Sequence, residues 1–210
     1  KSFTCMESEV WALAQFEAQN GAALEELITK HKVELVKFPD DVLIKLRDQG
    51  RIGAIGVAAG RRELVEEYVK TDVFDVVLTH NRYTVVDRSA ERIIELATER
   101  GMTVFNAAPF GAGILAGDNF RGRTYGYSEP SPEFLAHVDR FRALCEEWGV
   151  APATAALHFS LREPRIHTTV VGINSVERLA ELESHEDAVI DPEFWAALDA
   201  LGTPPAPPTD

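Results

Sequence analysis

Val104-Phe105-Asn106-Ala107-Ala108-Pro109-Phe110-Gly111-Ala112-Gly113-Ile114-Leu115-Ala116-Gly117 is the stretch whose reading decides the fold. A short apolar run ends abruptly in small residues. Pro109 fixes one φ angle, and Gly111, Gly113 and Gly117 allow conformations that other residues resist. One reading is a buried parallel strand that enters a loop whose backbone can approach a ligand. Glycines beyond a strand's carboxyl end are where α/β proteins tend to hold phosphates. The other is an ordinary glycine-rich turn, and a lone glycine-rich loop does not choose between them.

The segments on either side repeat one pattern. Upstream, Ile52-Gly53-Ala54-Ile55-Gly56-Val57 is short, apolar and continuous, as a strand buried on both faces should be. An amphipathic helix over 61–71 follows, with Leu64, Val65 and Tyr68 on one face. The next strand is Phe74-Asp75-Val76-Val77-Leu78-Thr79. Ser89 is placed to cap a helix that turns Ile93, Ile94, Leu96 and Ala97 inward, and Gly101 ends it. Downstream of the glycine-rich loop, 132–148 and 152–162 each open with proline at a first helical turn, where a missing N–H costs nothing. Thr168-Thr169-Val170-Val171-Gly172 is a fourth strand, Ser175 caps a helix through Leu182, and 192–201 is a last helix.

Before residue 51 the texture differs. Residues 6–30 read as a long helix, Val33-Glu34-Leu35-Val36-Lys37-Phe38 as a possible fifth strand, and 42–49 as a helix that Gly50 stops. The proline-rich end, 203–210, reads as a loose tail. Trp11, Trp148 and Trp195 fall on helical faces and are read as core. Strand and helix thus alternate four times between 51 and 184. That implies an α/β fold with a parallel sheet and right-handed crossovers. Either a doubly wound sheet or part of a (βα)8 TIM barrel fits, with four to five parallel strands and flanking helices.

Composition narrows the function. The chain has 210 residues, 45% of them hydrophobic, and a formal net charge of -13. Such acidity argues against nucleic acid or an anionic membrane surface as partner. No apolar run approaches the ~20 residues of a bilayer span. The opening Lys1-Ser2-Phe3-Thr4 lacks an apolar signal region and does not begin with methionine. Cys5 and Cys145 are far apart and show no metal-ligand spacing, so a reducing, cytoplasmic compartment is expected and no metal is. The pairs Glu66-Glu67 and Glu146-Glu147 read as solvated helix charges rather than acid/base partners.

Several phrases occur in an order that resembles the carboxyl-terminal half of the aldo-keto reductase family, in its branch of sugar and pyridoxal dehydrogenases. They are Gly50-Arg51-Ile52-Gly53-Ala54-Ile55-Gly56-Val57, Leu78-Thr79-His80-Asn81-Arg82-Tyr83-Thr84, Ala108-Pro109-Phe110-Gly111-Ala112-Gly113 and Val170-Val171-Gly172-Ile173-Asn174-Ser175-Val176-Glu177. The likeness runs from about 46 to 202 and implies strands five to eight of a (βα)8 barrel. Residues 1–46 are more similar, over a short stretch, to a segment of TRAP-type solute-binding proteins. Together these imply a chimera of 1–46, a half-barrel over 47–202, and the tail.

The resemblance implies hydride transfer between NAD or NADP and a carbonyl or sugar carbon. In that family a Tyr protonates the alkoxide, supported by Lys, Asp and His. All four lie on the first half of the barrel, and no residue of this chain matches them by motif, so no catalytic residue is assigned. The cofactor-binding residues implied are His80, Phe110, Gly111, Gly113, Leu115, Gly172, Ile173, Asn174, Ser175 and Arg178. His80 stands where the family's nicotinamide-holding Gln usually is. The 110–115 turn would meet the pyrophosphate, and the 172–175 turn with Arg178 would meet the adenosine phosphate. Ala107 replaces a frequent aromatic ring under the nicotinamide, and Ala58-Ala59 a frequent Ser-Asn pair. The segment 118–131, with Arg121, Arg123, Tyr125 and Tyr127, would cross the mouth as a mobile loop. Bland readings stand beside these: Ser175 is a plain helix cap in either case, Arg178 a solvated charge, His80 a polar strand end.

An organic-acid-binding receptor derived from the amino-terminal segment is disfavoured, because that segment is too short for a two-lobed cleft, and two functions stand ahead of it. One is a truncated NAD(P)-dependent oxidoreductase domain. The other is a recombined scaffold or binding fragment without selected activity. Four parallel strands cannot close a barrel, so either a homodimer or coverage by residues 1–50 is expected.

Overall fold

A computed structural model describes residues 41–116, 125 and 128–206. The expectations for 1–40 (the long helix, Trp11, the strand at 33–38), for Gly117, Arg121, Arg123 and Tyr127, and for the last residues of the tail lie outside the described residues.

After helix α1 (Val42–Asp48) the chain alternates β1 (Gly56–Val57), α2 (Arg62–Val69), β2 (Val76–His80), α3 (Glu91–Glu99) and β3 (Thr103–Ala107). A 3-10 turn at Gly111–Gly113 precedes α4 (Pro132–Trp148), α5 (Pro152–Leu161), β4 (Thr168–Val170), α6 (Val176–Glu186) and α7 (Pro192–Ala200). The four strands form one sheet in the order β1-β2-β3-β4, every pair parallel. Each strand lies beside its sequence neighbour, so all crossovers advance in one direction. A doubly wound sheet must reverse its order at a switch point, and this one does not. With right-handed crossovers, the helices then collect on one side, as they do around a (βα)8 barrel.

The register fixes the faces. Val76, Val77, Leu78, Thr79 and His80 stand opposite Thr103, Val104, Phe105, Asn106 and Ala107. Val57, Val77, Thr79, Val104 and Asn106 point into the helical layer and are buried, while Val76, Leu78, Thr103 and Phe105 on the other face are half-buried. The expectation of strands buried on both faces therefore holds for one face only. The second face is only half-covered among the described residues, and there β1 and β4 each have a single strand neighbour.

β1 is also shorter than its apolar run. Ile55 N donates to the Asp75 carboxylate at 2.8 Å and Ile55 O accepts from Asp75 N at 2.8 Å, so a side chain takes a place the ladder would hold. β3 runs two residues beyond Phe105, because Asn106 and Ala107 still pair with β2 and with β4.

The helices follow their end signals with one exception. Ser131 caps α4, Ser175 caps α6 and Asp191 caps α7 through side-chain oxygens, and Gly149 closes α4 in the left-handed conformation that glycine adopts without strain. Ser89, expected to cap α3, does not. The cap position is Ala90, and the Asp87 carboxylate takes the Ser89 N–H at 2.8 Å instead. The Glu91 N–H, which a cap at Ser89 would take, goes to the Arg88 carbonyl at 3.0 Å, and the Ser89 hydroxyl is left without a partner.

The core fills from the helical side. Ile93, Ile94, Leu96 and Ala97 of α3 join Val77, Val104, Phe134, Phe141, Phe159 and Phe194 in one cluster, with Trp148 and Trp195 packed half-buried against it. α5 is buried nearly all round, from Ala153 to Ser160. No helix among the described residues is long and apolar enough to cross a membrane.

Candidate functional site

The carboxyl ends of β2, β3 and β4 form one rim. His80 stands opposite Ala107, and Ala107 opposite Val170. Past the strands the pairing continues through single bonds, Asn81 N to Ala107 O and Ala108 N to Val170 O, both 3.1 Å. The loops after β2, β3 and β4 therefore lie side by side. The structure brings His80, the 110–115 turn and the 172–175 turn to the same edge.

This rim carries unusual backbone. Asn81, Ala108 and Ala112 have φ of 59°, 58° and 56°, and Gly111 and Gly113 have 55° and 91°. For a residue with a Cβ this left-handed region costs about 1–2 kcal/mol. Such conformations persist where the surroundings over-determine them, and they cluster at ligand clamps and switches.

Buried polar groups crowd behind the rim. Asp87 and Tyr125 are both fully buried. The Tyr125 hydroxyl lies 2.5 Å from Asn81 O, 3.2 Å from Asp87 Oδ2 and 3.2 Å from Thr84 Oγ1. Its one proton serves the nearer carbonyl, and the Thr84 hydroxyl can donate in return. Burial pushes the Asp87 carboxyl above its usual range, opposed first by the Ser89 N–H that it accepts. Arg82, beside it, donates to Gly60 O. Asn106 gives its amide hydrogens to Tyr83 O at 2.9 Å and Ser160 Oγ at 2.8 Å. Thr79 Oγ1, Asn81 Oδ1, Ser89 Oγ and Asn106 Oδ1 are buried without a hydrogen-bond partner.

His80 is exposed at the strand end, and crowding by the rim, then the Arg82 charge, holds its pKa below the usual value. Phe110 and Gly113 are half-buried and Ala112 is exposed. The Leu115 side chain is fully buried in the core, so only its backbone faces the turn. Gly172, Ile173, Asn174 and Ser175 are all exposed. Ser175 Oγ accepts from Arg178 N at 3.2 Å, the plain cap, and the Arg178 guanidinium is exposed and paired with Glu181 at 3.1 Å. A hydrogen bond from its own amide, and after it one from Ser175, lower the pKa of the Glu177 carboxyl at the same helix start.

Tyr125 departs from its expectation. Read as part of a mobile loop, it is instead a buried anchor. The sequence signal is thin: one tyrosine between polar and glycine neighbours. Asn81 and Asp87 were likewise invisible as partners, since only the fold brings 81–87 against 125. Cys145 is buried, its thiol pushed up to about 12, which leaves it inert as a nucleophile. Among the described residues no group of three or more His, Cys, Asp or Glu could hold a metal ion.

Comparison with known proteins agrees with the topology. The chain is 28% identical over 161 residues to pyridoxal 4-dehydrogenase of Microbacterium luteolum, covering 76% of this chain and 47% of that protein. It is 25% identical over 183 residues to D-threo-aldose 1-dehydrogenase of a Pseudomonas species, covering 85% and 55%. The chain thus spans about half the length of the curated relatives it matches. Among solved structures, the holo form of the aldo-keto reductase AKR11C1 from Bacillus halodurans superposes with a TM-score of 0.62 at 17% identity, covering 88% of this chain and 65% of that one. The family model for the aldo/keto reductase family matches residues 22–203, starting well inside the segment expected to have another origin. With the singly wound sheet, the strained rim and that match taken together, the chain belongs to the aldo/keto reductase family.

Proposed function

We propose that this chain supplies the nucleotide-holding half of an NAD(P)(H)-dependent oxidoreductase acting on a sugar or a small aldehyde. The observation that carries the reading is the run of left-handed backbone at Ala108, Gly111, Ala112 and Gly113, set at the carboxyl rim of a barrel-type sheet. Strain of this kind, present at Ala108 and Ala112, clusters at ligand clamps, and it stands here at the end of the barrel where phosphate sites are placed. The exposed 172–175 turn lies one strand away, at the start of α6, where the positive end of the helix suits an anion that replaces the Glu177 carboxylate. Arg178, on the first turn of α6, can leave Glu181 for a 2′-phosphate, since an exposed i,i+3 pair is worth well under ~1 kcal/mol. The names of the relatives, a pyridoxal and an aldose dehydrogenase, support the substrate class.

When bound, the cofactor supplies the hydride. This chain's own part is to seat the pyrophosphate on the 110–113 turn and the adenosine end at 172–178. No side chain of the described rim pairs a tyrosine with a lysine, and proton transfer is assigned to none. The second reading, a binding fragment without turnover, draws on Ala107, whose methyl offers no ring for a nicotinamide to stack on.

Titration with NADPH tests the first reading. It is expected to raise the thermal midpoint and quench tryptophan fluorescence, with Arg178→Ala weakening NADPH several-fold and NADH little, because a bidentate charge contact is lost. No response to either nucleotide at millimolar concentration removes this function and leaves the fold.

A further inference from the structure

Tyr125 touches three separate parts of the rim. Its hydroxyl meets the loop after β2 at Asn81 O, Thr84 Oγ1 and Asp87 Oδ2. Its ring lies against the turn after β3: a Cβ built on Gly111 would stand 2.8 Å from Tyr125 Cε2 and 3.0 Å from Ile114 Cγ2. Its backbone exchanges two hydrogen bonds with Ser128, at 2.9 and 3.0 Å, just ahead of α4, and its ring tilts over Phe134 of α4 with centroids 4.8 Å apart. A residue that only filled core would not need three polar partners, and a loop residue would not be fully buried.

The two left-handed residues it touches explain the arrangement. Asn81 keeps φ at 59° while its carbonyl accepts the Tyr125 proton, and Gly111 keeps φ at 55° under the ring. Without an outside constraint Asn81 would relax toward a commoner conformation, whereas Gly111 supplies its positive φ without strain and leaves room for the ring. Among the described residues the end of β3 reaches the loop after β2 through Asn81 N to Ala107 O and Asn106 Nδ2 to Tyr83 O, both near the strand ends, and Tyr125 adds a contact that extends the tie to the turn at Gly111.

We propose that Tyr125 is a positioning residue of the candidate nucleotide site: it clamps the turn after β3 to the loop after β2 and so sets the geometry that the pyrophosphate meets. The part of this that concerns nucleotide rests on the function proposed above; the clamp itself does not.

Tyr125→Phe removes the hydroxyl and keeps the ring, and Gly111→Ala pushes the ring from the other side. Amide hydrogen exchange and NADPH affinity, read by fluorescence, are measured on the wild type and both variants. Losing a buried hydrogen-bond network is expected to raise exchange about tenfold in 81–87 and 108–115 while α5 and the strand centres stay as in the wild type. NADPH is expected to bind several-fold more weakly to both variants. Exchange that is unchanged, or that rises evenly over the whole molecule, overturns the clamp. Raised rim exchange with wild-type NADPH affinity overturns the role in the site. A wild type that binds no NADPH defeats the nucleotide part together with the proposed function, and exchange alone then decides the clamp.

Discussion

α3 and α6 occupy equivalent places in the repeating unit, each following a parallel strand, yet they have opposite surroundings. α3 buries Ile93, Ile94, Leu96 and Ala97 between the sheet and its neighbours. α6 buries no residue, and Val176, Leu179 and, just before the helix, Ile173 lie open beside a β4 that exposes Thr168 and Val170. The sequences are not the cause, for both helices are amphipathic. The difference is positional: α3 sits between two flanking units, and α6 sits at the sheet's edge with nothing described beyond it. A βα unit is half of an interface, and its apolar stripe is stable only where the next unit supplies the other half.

The sharpest way to test this contrast is to cut the packed side. Ile94→Ala, at a fully buried position, is expected to cost about 2–5 kcal/mol in urea denaturation. A loss below ~1 kcal/mol would mean that α3 is no better seated than α6.

A smaller effect comes from the ion network that fastens the packed side. Glu163 receives Arg165 Nε at 2.6 Å and the Tyr83 hydroxyl at 2.9 Å, and Arg165 also pairs with Glu91 at the start of α3. Arg165 is the chief reason that the Glu163 carboxyl falls from its ordinary 4.5 to about 2. A depressed carboxylate stabilises the fold above its unfolded pKa and loses that contribution as protons arrive. The expected loss therefore spreads from about pH 4.5 down to about 2. Glu163→Gln should lower stability at pH 7 by about 1–3 kcal/mol and flatten the acid limb. An unchanged acid limb in the variant would place the pH dependence elsewhere.

The smallest effect belongs to the open side. Leu179→Ala and Val176→Ser are expected to change stability by less than about 0.5 kcal/mol, as exposed positions do. A loss above ~2 kcal/mol in either would show that the α6 face is covered in solution, by chain outside the described residues or by a second copy, and the contrast would disappear.

Much of the packed side was legible beforehand. Ile93, Ile94, Leu96 and Ala97 announce their face by spacing alone, and Pro132, Pro152 and Ser175 mark helix starts through local backbone chemistry. The rim was legible only in outline. His80, Phe110 to Gly113 and Gly172 to Ser175 fall at strand ends in the sequence, and the parallel register then aligns them. Ser89 does not cap because the helix cap falls one residue later, at Ala90, and the Arg88 carbonyl takes the Glu91 N–H. Tyr125 was misread because its partners are 38 to 44 residues distant.

By itself the sequence determined which segments are strands and helices, where most of them stop, and that glycine-rich backbone follows the third strand. Those properties depend on periodicity, capping and permitted φ, all of which act within a few residues. The tertiary structure alone decided that the sheet winds in one direction, that one of its faces is left half-covered, and that a tyrosine from a polar stretch fastens two strand ends together. Each of these depends on which distant groups meet, and burial makes a polar contact decisive only after the chain has brought its partners out of water.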